Sequence, residues 1–280
     1  MRFEREGIEI AELEKLVDIS ELYFASAQSH VTAERTVHQT WKSRMLSSVH
    51  AGHIDQIIQR NPNWTFKFYD DHDMETFIET EFGGTDLAAF FRNLQNGQAK
   101  ADIWRLAKLY QDGGLYLDID SNVNEALEDI FDCSGEHLSF ESNSVSSYLI
   151  KGIHPGDSFF LQNMKRVKEE LGHDQVLVNW AMYFPAKHEF LYDCLNEFCE
   201  MAREYEGVRF QSPQQATVRL TGPMMVTRVF WRYLFANKTM NVSGTDFDNS
   251  LTFKIANLGN LGYSETRPLA DLRHQVVLKG

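Results

Sequence analysis

The stretch Ala101–Asp120, ADIWRLAKLYQDGGLYLDID, constrains this chain more than any other. Ile103, Leu106, Ala107 and Tyr110 recur at three- and four-residue steps, which predicts a helix with one buried face. Asp102 and Arg105, three apart, project together from a neighbouring face. Gly113 and Gly114 supply the positive-φ positions that end a helix and turn the chain. Leu115-Tyr116-Leu117 then reads as a short buried strand that delivers Asp118 and Asp120 at its C-terminal end. On an extended chain, residues two apart point the same way and lie about 6–7 Å apart. Two carboxylates at that distance repel by about 2–2.5 kcal/mol at an effective dielectric of about 20. A pair held ionised there calls for a cation. The spacing suits one carboxylate on a hard divalent metal and the other reached through water or a ligand.

The flanking sequence has an α/β rhythm. Residues 8–28 read as an acidic amphipathic helix, an N-terminal addition spanning 1–34, with the main domain over 35–280. Arg35–Trp41 is β-branched and aromatic and predicts a first strand, followed by a helix over 44–59. Trp64–Tyr69 alternates as a second strand, and helices follow at 74–82 and 86–95. Strand, helix, strand, helices, helix, strand is the order of a sheet with parallel neighbours flanked by helices. Beyond Asp120, 138–140 and 148–150 read as a hairpin-like pair, and 159–170 and 189–205 as helices with a strand over 175–183 between them. Pro223 opens an apolar helix over 224–235, and short strands are expected near 240–243 and 252–256.

With 43% hydrophobic residues in 280, the chain can bury a full core as one large domain. Its formal charge of −13, from 27 basic and 40 acidic residues, excludes a nucleic-acid binder. The charge is uneven: Val208–Gly280 carries nine Lys/Arg against four Asp/Glu, a net of +5 that reads first as a basic solvated surface and, more sharply, as a face for an anionic partner such as a diphosphate, an acidic glycan or a lipid headgroup. Cys133, Cys194 and Cys199 are odd in number and contain no CxxC pair, which points to a reducing compartment. No run of eighteen apolar residues and no apolar signal-peptide region occurs, so the expectation is a soluble, cytoplasmic protein.

An EF-hand reading of Asp118-Ile119-Asp120 fails, because Val123 and Asp129 stand where Gly and Glu are needed. The pair also resembles the haloacid-dehalogenase-type phosphatases, in which the first Asp is the nucleophile, but Asn122 replaces that family's Thr or Val. The segments HQTWK (38–42), NPNWTFKFYDD (61–71), ADIWRLAKLYQDGGLYLDID (101–120) and TGP (221–223) together resemble the DXD-motif sugar-transferase family. That family includes a yeast initiating α-1,6-mannosyltransferase, animal α-1,4-glycosyltransferases and bacterial capsule and lipopolysaccharide enzymes.

The resemblance implies a GT-A fold, a Rossmann-like mixed sheet flanked by helices. It also implies a nucleotide-diphosphate sugar donor with a UDP or GDP base, Mn²⁺ or Mg²⁺, and retaining transfer of a hexose to a glycan, polysaccharide or glycolipid hydroxyl. By resemblance, Trp41 stacks on the donor base, and Asp102 and Arg105 hold the ribose–sugar region. Tyr116 approaches the donor, Asp118 reaches ribose, sugar and metal, and Asp120 is the principal metal ligand. Asn179 is carried to the donor sugar, and Thr221-Gly222-Pro223 to the acceptor side. The family's C-terminal His segment is matched by Leu272–Gln275, but its Ser-Trp pair is absent before Gly280. Peripheral membrane association fits such a protein. The rival readings are a non-catalytic nucleotide-sugar- or glycan-binding relative and a phosphohydrolase with Asp118 as nucleophile.

Overall fold

The computed structural model describes residues 16–26, 32–208, 213–253 and Leu278. It opens with β1 (Leu16–Asp18), α1 (Ser20–Ser26), β2 (Thr36–Thr40), β3 (Met45–Ser47), α2 (Ser48–Arg60), β4 (Thr65–Tyr69), α3 (Asp71–Phe82), α4 (Asp86–Asn93), α5 (Gly97–Asp112) and β5 (Gly114–Leu117). These elements build the first half. The second comprises β6 (Ser121–Val123), α6 (Leu127–Ile130), β7 (Leu138–Ser144), α7 (Val145–Leu149), α8 (Asp157–Leu171), β8 (Gln175–Leu177), β9 (Ala181–Phe184), α9 (Glu189–Tyr205), α10 (Pro213–Leu220), α11 (Pro223–Phe235), β10 (Val242–Thr245) and β11 (Leu251–Phe253).

The organising sheet has the order β4-β2-β5-β9. Its first three strands are parallel, with Thr36 opposite Thr65 and Val37 opposite Leu115; β9 is antiparallel, with Tyr116 opposite Met182. The two-residue period of β5 sends Leu115 and Leu117 into the apolar cluster of Val37, Ile54 and Phe66. Tyr116 faces the opposite way, into the cluster with Trp104 and Met182. The fold is therefore mixed α/β with apolar layers on both faces of a largely parallel sheet, as the α/β rhythm implies.

Helix α5 is held at both ends by local chemistry. The Asn96 side chain accepts from the Ala99 N–H, and Gly113 closes the other end at φ 70°. At Gly114, φ is 96° and a Cβ would stand 2.5 Å from the Thr36 carbonyl oxygen, so only glycine lets β5 approach β2. The helix is buried on nearly every side, including Asp102, Arg105 and Lys108, rather than on one face as its periodicity predicts. It packs against α3, α9 and α10 as well as the sheet, and α9 and α10 lie far away in sequence.

Other expectations are redrawn. Of the helix expected over 8–28, residues 8–15 and 27–28 lie outside the described residues, and 16–18 form β1, which pairs with Met45–Ser47. That pairing also takes the first turn from the helix expected at 44. Residues 145–149 are helical, not the second arm of a hairpin; β7 instead pairs with β8 and β10, because Ser144 and Ser147 close a capping box that starts α7. The strand expected over 175–183 divides into β8 and β9, which belong to different sheets. Residues 254–256 and 272–275 lie outside the described residues.

Candidate active site

Open parallel sheets bind ligands beyond the carboxyl ends of their strands. Here β2 ends at Thr40 beside Trp41, β4 ends at Tyr69, and β5 ends at Leu117 beside Asp118. Trp41 is half-buried, and its N–H donates to the Tyr69 carbonyl at 3.2 Å. Continuing the pairing of His38 with Tyr116 sets Thr40 level with Asp118. Trp41 and Asp118 therefore share one edge of the sheet.

Beyond Leu117 the chain does not stay extended. The Asp118 N–H still donates to the Trp180 carbonyl at 2.7 Å, but the Ser121 N–H turns back onto the Asp118 carbonyl at 3.0 Å. The two aspartates lie in a tight turn between β5 and β6, so strand spacing does not set their separation. Asp120 is buried, whereas the Asp118 side chain keeps 23% of its exposure.

Arg105 organises the cluster. Its guanidinium stands 3.3 Å from Asp102 and 3.2 Å from Asp118, donates to the Asn179 carbonyl, and lies 4.3 Å over the Tyr116 ring. The Tyr116 hydroxyl donates to Asp118 Oδ1 at 2.6 Å. Asp102 accepts from Asn179 Nδ2 at 3.1 Å and from the Thr221 hydroxyl at 3.0 Å. Gly222 and Pro223 are buried at the start of α11, and the Gly222 N–H donates to the Thr217 carbonyl at 3.0 Å. Thr221 is fully buried and touches Asp102, so the TGP turn meets the Asp102–Arg105 network from behind.

Burial pushes Asp102 up to about 6 against the opposing pull of Arg105 and Thr221. Burial also raises Asp118 to about 6, opposed by Arg105 and reinforced by Asp120. Burial works against the Arg105 charge, but Asp118, Tyr116, Asp102 and Asp120 outweigh it and hold its pKa above the ordinary range. Within this cluster three carboxylates face one guanidinium, a formal excess of two negative charges. A divalent cation cancels that excess, and hard carboxylate oxygens are the donors Mn²⁺ and Mg²⁺ take. Asp118 and Asp120 thus fit a metal by donor type and charge, although among the described residues no three His, Cys, Asp or Glu side chains gather as a metal cluster.

Sequence reasoning already grouped Asp102, Arg105, Tyr116, Asp118 and Asp120, because all five lie in one twenty-residue run. It did not foresee that the carbonyls of Asn179 and Trp180 receive Arg105 and the Asp118 N–H, or that Thr221 touches Asp102. No local pattern marks these contacts, since backbone acceptors have no side-chain signature and the Thr221 hydroxyl reaches Asp102 across 119 positions. Trp64 and Trp104 are buried core, and His38 is buried with its ring on the Gly113 carbonyl at 3.0 Å and the Tyr69 hydroxyl at 3.2 Å.

Residues 35–136 match the family model for the glycosyltransferase sugar-binding region containing a DXD motif. An inositol phosphoceramide mannosyltransferase 3 of Schizosaccharomyces pombe is 24% identical over 54% of this chain and 42% of its own length. The mannosyl phosphorylinositol ceramide synthase CSH1 of Saccharomyces cerevisiae is 24% identical over 48% of this chain and 35% of its own. The matched part of the chain thus spans less than half the length of either relative. Among solved structures, the PaToxG glycosyltransferase aligns over 77% of this chain and 76% of its own at 12% identity, with a TM-score of 0.49. The run that carries Asp102, Arg105, Asp118 and Asp120 lies inside the matched stretch, so over residues 35–136 this chain is similar to the glycosyltransferase sugar-binding region containing a DXD motif.

Proposed function

We propose that this protein is a metal-dependent GT-A glycosyltransferase that moves a hexose, mannose foremost, from a nucleoside-diphosphate sugar to a hydroxyl of a lipid-linked acceptor. The observation that carries the reading is the Asp102–Arg105–Asp118 network beside Asp120 at the carboxyl edge of the parallel sheet. Mannose and the inositol phosphoceramide type of acceptor follow the names of the two yeast relatives. Retention of configuration follows the family resemblance.

Each residue has a derivable task. Trp41 offers an aromatic face at the sheet edge, suited to stacking on the donor base. Arg105, fixed by Asp102 and the Asn179 carbonyl, presents a planar fork whose remaining donors suit sugar hydroxyls. Asp102, with both oxygens occupied by Asn179 and Thr221, orients Arg105. The Tyr116 hydroxyl engages Asp118 Oδ1 and leaves the other carboxylate oxygen to face the donor or the metal. Asp118 and Asp120 would hold Mn²⁺ or Mg²⁺, which when bound neutralises the diphosphate as it leaves. With no evident nucleophile among the described residues, attack from the front face, with the leaving phosphate taking the acceptor proton, is the proposed step.

The test is Mn²⁺-dependent nucleoside-diphosphate release from a panel of UDP- and GDP-sugars, with Asp120→Ala beside it. Release from one donor, lost in the variant, supports the reading. Metal-dependent donor binding without release or transfer would make the protein a non-catalytic relative. Turnover of an aryl phosphate with Mg²⁺ and no donor binding would refute the transferase reading.

A further inference from the structure

Between Glu141 and Asp157 the chain runs for fifteen residues, Ser142 to Gly156, without a carboxylate, although 40 of its 280 residues are acidic. This segment turns out of the fold after α7. Ile150 is 86% exposed and Ile153 is 73% exposed, and Leu161 on the adjoining α8 is 52% exposed. With Leu149, Ser146 and Met164 they rim a shallow groove of about 440 Å³. Lys151 stands between the two isoleucines, 5.5 Å over the Tyr148 ring, and has no ion-pair partner among the described residues.

Exposed apolar side chains on a loose loop would fold back onto the surface. This tip is instead anchored. The fully buried Arg219 donates through Nη2 to the carbonyls of Tyr148 at 3.0 Å and Gly152 at 2.9 Å, on either side of residues 149–151. Its Nε engages Asp157 at 2.9–3.0 Å and its Nη1 engages Gln215. Two residues further along, Thr221 donates to Asp102 in the candidate site. The segment Arg219–Thr221 therefore links the tip to the Asp102–Arg105 network by hydrogen bonds.

The geometry points to the Ile150–Ile153 tip, with Leu161, as a membrane-docking surface that inserts into the interface of an anionic bilayer and presents lipid-linked acceptors to the site. Apolar side chains flanking a lysine that has no carboxylate partner among the described residues match a bilayer interface in both respects. The isoleucines enter the acyl boundary, and the ammonium meets headgroup phosphate. Among the described residues no helix is long and apolar enough to cross a membrane, so docking of this kind acts at the surface. The choice of lipid as partner rests on the transferase reading.

The test is co-sedimentation of the purified full chain with vesicles of phosphatidylcholine alone or mixed with phosphatidylinositol, at low and high salt. The wild type should pellet with the phosphatidylinositol vesicles. Ile150→Glu/Ile153→Glu should weaken that binding by about tenfold or more, because two apolar side chains lose their burial. Lys151→Glu should weaken it several-fold and flatten its salt dependence. Donor hydrolysis without vesicles should be unchanged in both variants. A wild type that stays in the supernatant, or variants that pellet like it, would overturn the proposal. So would a wild-type dimer that Ile150→Glu/Ile153→Glu converts to monomer, since the tip would then face a second copy. Isoleucine-dependent vesicle binding in a protein that binds no nucleotide sugar would leave the docking surface standing and sink the transferase reading alone.

Discussion

Replacing Arg105 by Met removes the cation that stands 3.3 Å from Asp102 and 3.2 Å from Asp118. Each contact is worth about 5 kcal/mol gross at an effective dielectric of about 20, but desolvation of three buried ions offsets most of it. Removing one partner leaves two carboxylates uncompensated, and the net cost is about 3–5 kcal/mol. The methionine retains an apolar stem over the Tyr116 ring, so little of the loss comes from packing. Urea unfolding should show a lower midpoint at unchanged slope, and thermal unfolding a fall of about 6–20 °C for a domain of this size. Asp102→Asn in the Arg105→Met background removes one of the stranded charges. The double variant should therefore be more stable than the sum of the single losses by about 1–3 kcal/mol. A loss below about 1 kcal/mol for Arg105→Met, or additivity in the cycle, would refute Arg105 as the charge that holds the cluster together.

Three further outcomes follow from the same geometry. Gly114→Ala places a Cβ 2.5 Å from the Thr36 carbonyl oxygen at φ 96°, and should cost about 1–3 kcal/mol in backbone strain before any shift of β5 against β2. Burial, with Lys108 adding to it, lowers His38 to about 3. The unfolded chain therefore takes up the proton first: the stability is present above pH ~6.5 and falls by about 1.4 kcal/mol per pH unit towards the folded value. That amounts to about 2 kcal/mol between pH 7 and pH 5, and His38→Gln should flatten this part of the stability profile. Trp41→Ala should weaken nucleotide-sugar binding by about 5- to 100-fold, as loss of a base-stacking face predicts, and also lower the urea midpoint modestly, because the half-buried ring packs against the core cluster that holds Leu115 and Leu117; calorimetric titration of the folded variant with the donor checks it.

The central run was legible because its information is local. Helical spacing, a three-residue Asp–Arg step, two positive-φ glycines and a period-2 strand all act within twenty residues, and the structure keeps all of them. Residues 138–150 were less legible. Their β-branched and aromatic content suits a hairpin, but a Ser144–Ser147 capping box starts a helix, and the partners of β7 lie at 175–177 and 242–245. Helix α10 had no sequence signal beyond the TGP that follows it, yet it carries Arg219, whose buried pairing with Asp157 crosses 62 positions.

By itself, the sequence determined the α/β class, the run that carries the family resemblance and the set of charged residues that meet in it, because propensity, periodicity and glycine placement act on neighbouring residues. Only the tertiary structure decided that Asp118 and Asp120 lie in a turn rather than along a strand, and that α5 is buried on nearly every side. It alone shows Arg105 resting on a carbonyl 74 positions away and Asp102 receiving a hydroxyl from 119 positions away. Those contacts form because burying a charge requires every nearby donor and acceptor to be satisfied, and the chain meets that demand with whichever group packing brings close.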